Sequence, residues 1–336
     1  MEHLELARQS SADNRQTLLK DITLVPCCLS ELALEDIDLS TIIGESRLEN
    51  PIIINAMTGG CQEAEVINQR LAQLAAQCGL GMAVGSQRAG LEDPELISSY
   101  SIVRATNPEG LIWANLDAGS SINEVQQAIS MIDADGIQMH LNQAQELAMP
   151  EGERDFRCIG KSLEVVARQV TVPVIAKVVG SGIAAEEAKY LRHIGIDIVD
   201  IGGYGGTNFI NIENRRGGLL GQNFEYWGLP TAVALAECLT VDGLRVIASG
   251  GIRTALDAAK CLAMGSAAAS MALPFLQLLD YSMEDRLAAV NQFIYQLKCV
   301  LLLCGARNIN ELRQRPLVIS GYTREWMESR GLVLSR

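Results

Sequence analysis

Aromatic residues make up only 4% of this 336-residue chain, so its interior cannot be built from large rings. Ala, Leu, Ile, Val and Gly dominate the 48% hydrophobic content instead, the palette of tightly packed buried strands flanked by helices. Positive charge is scarce as well. With 27 basic against 40 acidic residues the formal charge is −13, so the long-range field repels nucleic acid and anionic membranes, and an anionic ligand must be captured locally. No apolar run reaches bilayer-spanning length, and the opening M-E-H-L-E-L-A-R-Q-S-S lacks the charged-then-apolar order of an export signal. The nine cysteines include no C-x-x-C pair and lie mostly in apolar surroundings, which reads as reduced core thiols in a cytoplasmic protein.

What is present is a repeat. After some fifty polar and acidic residues, short apolar strands are predicted at residues 51–55, 81–85, 111–116, 136–141, 173–178, 197–201, 245–248 and 267–271. Amphipathic stretches of helix length lie between them at 64–77, 121–132, 156–170, 184–194 and 256–264. A spacing of about 25 to 35 residues fits right-handed parallel crossovers, and eight such pairs close a (β/α)8 TIM barrel; a doubly wound open sheet is the alternative. One domain, 1–336, is expected, with an N-terminal extension (1–50), the barrel (51–275) and a C-terminal helical segment (276–336). The extension either covers a barrel mouth, joins a neighbouring subunit or frays.

Two strands break abruptly into glycine. D-I-V-D-I-G-G-Y-G-G-T-N-F-I-N-I-E-N-R-R, residues 197–216, and V-I-A-S-G-G-I-R-T, residues 246–254, each present backbone where a side chain would stand, which suggests one shared anionic ligand. In a barrel the second break falls at the usual phosphate site, where small residues let N–H groups approach the anion. Residues following the other strands complete a ring: Met57 and Thr58, Ser86 and Arg88, Asn115, His140, Lys177, Thr207, Met271 and Ala272. Lys177 closes the apolar strand P-V-I-A-K-V and is read as a cation against an electron-rich cofactor or phosphate, as a Schiff-base lysine, or as the partner of Asp200. H-L-N-Q-A-Q-E, residues 140–146, concentrates polar groups beyond strand four; Glu146 is equally a ligand for a hard divalent cation and a first-turn acid at a helix N-terminus. Glu213, Arg215 and Arg216 in the long sixth loop suit either a lid or a subunit contact.

Strong acids and bases are missing from this ring. It has no close carboxylate pair, no serine triad and no H-x-x-x-H, so a bound cofactor is expected to carry the difficult step while amides orient and neutralise. Residues 240–265 contain no His of the kind a flavin-dependent oxidoreductase of small acids needs as its base, and the sixth loop has Thr207 where a nucleotide-type barrel would use Cys. A barrel retained only as a binding protein is the non-enzymatic alternative.

Taken together, A-M-T-G-G, G-S-Q-R-A, N-L-D, H-L-N-Q-A-Q-E, P-E-G-E-R-D-F, G-G-T-N-F-x-x-I-E-N-R-R and S-G-G-I-R closely resemble type 2 isopentenyl-diphosphate isomerase over about residues 3–330. The resemblance implies an enzyme that uses FMN and Mg2+ to interconvert isopentenyl and dimethylallyl diphosphate, with NADPH reducing the flavin, in a homo-oligomer (tetramer or octamer). Carried over by motif, Ala56, Met57, Thr58, Ser86, Asn115, Lys177, Gly202, Thr207, Gly250, Gly251, Ile252, Arg253, Met271 and Ala272 would hold FMN. Gln145, His140 and Asn142 would be the catalytic-pocket groups, Arg88 and His140 would meet the diphosphate charge, Gln145 would contact substrate and Glu146 would bind Mg2+. One departure stands out. The family pattern places an Arg-Lys pair before an acidic residue and a His, which here are Glu2 and His3 preceded by Met1 alone. That reads either as a late assigned start or as loss of basic groups that help hold diphosphate.

Overall fold

A computed structural model describes residues 17–334; the departure at Glu2 and His3 lies outside the described residues. Among the described residues, eight parallel strands close a barrel: β1 (Ile52–Ile54), β2 (Gly81–Ala83), β3 (Ile112–Asp117), β4 (Gly136–Leu141), β5 (Val174–Val178), β6 (Ile198–Asp200), β7 (Arg245–Ser249) and β8 (Ala268–Met271), with β8 bonded back to β1. Most of their side chains are buried whichever way they face, which is why the strands read as continuous apolar runs without alternation. Six fall inside the predicted segments, and β3 and β7 each run one residue past them, to Asp117 and Ser249.

The surrounding helices are α1 (Gln62–Cys78), α2 (Ser98–Thr106), α3 (Ile122–Met131), α4 (Ile159–Gln169), α5 (Ala185–His193), α6 (Thr231–Cys238), α7 (Ala255–Met264) and α8 (Met283–Leu303). Capping boxes start two of them, Ser121 with Glu124 at α3 and Thr254 with Asp257 at α7, while Gly79 ends α1 in the left-handed region at φ 60°. The sequence periodicity did not single out α6, for a physical reason: every residue of T-A-V-A-L-A-E-C is buried, so no polar face marks its period.

The extension covers the barrel end opposite the βα loops. Its antiparallel strands Thr41–Ile43 and Ser46–Leu48 turn at Gly44, and Ile43 and Leu48 pack with Ile53, Trp113, Ile175, Ile198 and Ile247 at the strands' N-terminal end. The segment 276–336 is not helical throughout. It supplies α8, which packs between α7 and α1 in the helical ring, then the strand Leu317–Ile319, which pairs antiparallel with Ile22–Leu24, and finally the helix Gly321–Arg330 beside α6.

Candidate active site

The two glycine breaks meet backbone to backbone at the C-terminal end of the barrel. Gly203 N–H donates to the Ser249 carbonyl at 2.9 Å, and Gly202 N–H donates to the Ser249 hydroxyl at 2.9 Å. Gly250 and Gly251 stand at φ 105° and 73°; a Cβ on either would overlap a carbonyl of the sixth loop, that of Gly203 or Gly205. Buried Thr231 locks the junction by donating its hydroxyl to the Gly250 carbonyl at 2.5 Å. The resulting cradle of bare peptide suits a phosphate.

Beneath it the barrel lumen carries a continuous polar chain. At the end of β6, Asp200 is fully buried; it accepts from Asn55 Nδ2 at 3.0 Å and from the Ser249 hydroxyl, and pairs with Lys177 Nζ at 3.7 Å. Gln138 Nε2 donates to Asn55 Oδ1 at 3.5 Å, and Asn115 Nδ2 donates to Gln138 Oε1 at 3.0 Å. Asn115 Oδ1 lies 2.9 Å from His140 Nδ1. Because the Asn115 amide nitrogen is spent on Gln138, its oxygen must accept, so His140 carries its proton on Nδ1 and leaves Nε2 as an acceptor. Burial holds the His140 pKa down to about 4, with Lys177 and Arg88 opposing the pull of Asp117. The ring is therefore neutral at pH 7.

A cavity of about 470 Å³ opens above this network, a size suited to a cofactor or small ligand. Ala56, Met57, Thr58, Ser86, Asn115, Lys177, Gly202, Thr207, Gly250, Gly251, Ile252, Arg253, Met271 and Ala272 all line it, as do His140, Asn142 and Gln145. Among the described residues, neither Asp nor Glu is on its wall. Two candidate residues stand off the wall. Arg88 donates to Asp117 at 2.6 Å, to Ser120 at 2.8 Å and to Glu124, so its charge is already matched by two carboxylates. Burial would raise the Asp117 pKa, but hydrogen bonds from Arg88 and Ser120 more than offset it and leave the group below its ordinary value. Glu146 lies one residue beyond Gln145, accepting from Asn142 Nδ2 at 3.1 Å and from Glu153 N–H at 2.9 Å.

The sixth loop folds into the helix Phe209–Arg215 beside Gln143–Ala148. Gln145 Nε2 donates to Glu213 Oε1 at 3.2 Å, and Arg216 Nη1 pairs with the other oxygen of buried Glu213 at 2.5 Å. Sequence reasoning gave Glu213 a lid or subunit contact and not the hold on Gln145 that it has here, and it missed Asn55 and Gln138; Ser249 was in the predicted ring and lines the cavity. Gln138 left a signal: it shares strand parity with His140, so both face one side of β4. Among the cysteines, Cys61 lines the cavity, whereas burial pushes the Cys238 and Cys261 thiols well up.

A closed (β/α)8 barrel with interlocked glycine loops at its mouth defines a class, and the family described as FMN-dependent dehydrogenase matches residues 139–319. Solved structures agree on the fold: a mandelate oxidase with benzaldehyde superposes at TM-score 0.67 and 17% identity over 95% of this chain and 94% of its own. A protein of Pediococcus acidilactici described as a lactate oxidase does so at 0.70 and 16% over 93% and 88%. Much nearer in sequence is the isopentenyl-diphosphate delta-isomerase of Bacillus licheniformis, 45% identical over 98% of this chain and 95% of its own length. That of Symbiobacterium thermophilum is 46% identical over 94% and 88%. The chain belongs to the FMN-dependent, type 2 isopentenyl-diphosphate delta-isomerase family and is an isomerase.

Proposed function

We propose that this protein interconverts isopentenyl and dimethylallyl diphosphate in isoprenoid biosynthesis, with FMN in the barrel mouth, Mg2+ on the diphosphate and NADPH as the reductant of the flavin. One observation carries the reading beyond family membership: the cavity wall joins a glycine cradle suited to phosphate to amides, a lysine and a neutral histidine, and among the described residues it has no carboxylate. Moving a double bond needs a proton delivered at one carbon and removed at another, and Gln145 and Asn142 are too weak to do either alone. When bound, reduced FMN supplies that proton-transfer chemistry. The glycines of the cradle and Arg253 suit its phosphate, while Lys177, Asn115, Ser86 and Thr58 suit the edge of its ring.

The chain's own residues orient the alkene and the charge. Glu213 holds the Gln145 amide by its nitrogen, which leaves the amide oxygen of this wall residue available as an acceptor. Glu146 fits a cation held chiefly by substrate oxygens and water, since among the described residues no cluster of three His, Cys, Asp or Glu side chains forms a protein-only cage. Diphosphate beside His140 Nε2 would raise the pKa of the ring and draw a proton onto it, turning the neutral acceptor into a cation only when the anion is present. Arg88 can join that anion once it exchanges Asp117 or Glu124 for it. The protein is expected to act in the cytoplasm as a homo-oligomer without a nucleic-acid or membrane partner; no helix among the described residues is long and apolar enough to cross a membrane.

The test is an anaerobic assay with FMN, NADPH, Mg2+ and isopentenyl diphosphate, following dimethylallyl diphosphate. Absence of product under reducing conditions defeats the reading. Glu146→Ala is expected to raise the Mg2+ concentration needed for half-maximal turnover by roughly tenfold or more. Gln145→Ala retaining full turnover would remove Gln145 from the site.

A further inference from the structure

The outer side of the glycine cradle is covered by the other end of the chain. Thr17 is buried, and its Cγ2 methyl lies 2.6 Å from where a Cβ would stand on Gly205 and equally 2.6 Å from one on Gly251. One methyl thus touches the sixth and seventh loops at once. Thr17 is also held in place from behind. Leu18 is forced into the left-handed region at φ 57°, a conformation that a leucine keeps only where its surroundings over-determine it. Lys260 Nζ donates to the Leu19 carbonyl at 2.8 Å. Buried Asp21 takes both the Thr323 N–H at 3.0 Å and the Thr323 hydroxyl at 2.9 Å on one oxygen, and its carbonyl accepts the Ser320 N–H at 2.9 Å. The C-terminal helix Gly321–Arg330 that provides these donors is itself pinned. Fully buried Glu237 on α6 accepts from Trp326 Nε1 at 2.7 Å and from Arg330 Nε at 3.0 Å.

We propose that the two chain ends form a back plate for the phosphate cradle, in which Thr17 is a positioning residue that sets the spacing of the Gly205 and Gly251 backbones and the Asp21–Thr323 contact fixes Thr17. The inference rests on reading the cradle as the FMN phosphate site. Thr17 acts through packing: its methyl backs both loops, which Thr231 and the Gly203–Ser249 hydrogen bond also join, and a glycine loop left unbacked loses preorganisation. Asp21 acts through Thr17, four residues away in the same turn of chain, by holding that turn to the helix Gly321–Arg330.

The experiment is titration of the full-length apoprotein with FMN, followed by flavin fluorescence. Thr17→Ala and Asp21→Asn are each expected to weaken FMN binding by about tenfold, and the double variant by little more than either alone, because both remove one device. Thr17→Val keeps the branched shape while losing the hydroxyl that accepts the Leu19 N–H at 3.3 Å, and it is expected to restore binding to within about threefold of the parent, a rescue that general loss of stability would not give. Unchanged affinity in Thr17→Ala, a double variant weakened by the product of the two single effects, or Thr17→Val as weak as Thr17→Ala would each overturn the back plate. A parent protein that takes up no FMN would instead defeat the cofactor reading beneath it.

Discussion

Lys177 shows how a single side chain can serve two demands. It lies opposite Asp200, a fully buried carboxylate that also takes Asn55 and Ser249, so its ammonium balances a charge water cannot reach. Removing one partner of such a pair leaves the other uncompensated. Lys177→Met is expected to cost about 3 kcal/mol in urea unfolding of the apoprotein, as well as weakening FMN binding. His140 makes a different prediction. Its pKa is held near 4 in the fold against an ordinary 6.5, so the unfolded chain takes up the proton first as pH falls. Stability from this group is full above pH 6.5 and is lost as pH falls towards 4. His140→Gln should flatten that acid limb when unfolding midpoints are compared between about pH 7 and about pH 5; an unchanged slope would assign the limb to other groups.

At the scale of elements, the βα loops line the cavity and the strands carry the legibility. All eight strands could be located from their apolar runs, because a strand buried on both faces needs nothing else. The helices were read less completely: α6 is apolar all round, and a stripe is visible only when one side meets water. The glycine breaks at 202–206 and 250–251 are visible in the sequence, yet their interlock depends on two loops meeting across the barrel. Gly251→Ala places a Cβ against the Gly205 carbonyl in a backbone conformation, φ 73°, that alanine resists. It is expected to weaken FMN binding by at least about tenfold while the far-ultraviolet circular dichroism remains that of the barrel. Retained affinity would mean that the loops separate at little cost.

At the scale of the whole molecule, the barrel is wrapped by its own ends. The extension plugs the floor with Ile43 and Leu48, and the C-terminal helix fastens to the wall through Glu237. Glu237 carries no exposed surface and serves Trp326, Arg330 and the Ala185 N–H that opens α5. Glu237→Leu strands the Trp326 and Ala185 donors and leaves Arg330 to Glu186 alone, and is expected to cost about 3 kcal/mol in urea unfolding; a loss below about 1 kcal/mol would make the helix an accessory.

The order of strands, the glycine breaks and the ring of polar residues beyond the strands follow from local pattern, since strand burial and backbone freedom are properties of short segments. That much the amino-acid sequence determined alone. Which polar atom meets which was decided only in three dimensions. Arg88 looked suited to an anion, but the fold sets Asp117 and Glu124 against it; Gln145 gained Glu213 from 68 positions away. Thr17, unremarked in the sequence, came to rest on the cradle. Hydrogen bonds and ion pairs fall off within a few ångströms, so their partners are chosen by the closure of the barrel and the return of its ends, and no local pattern contains that distance.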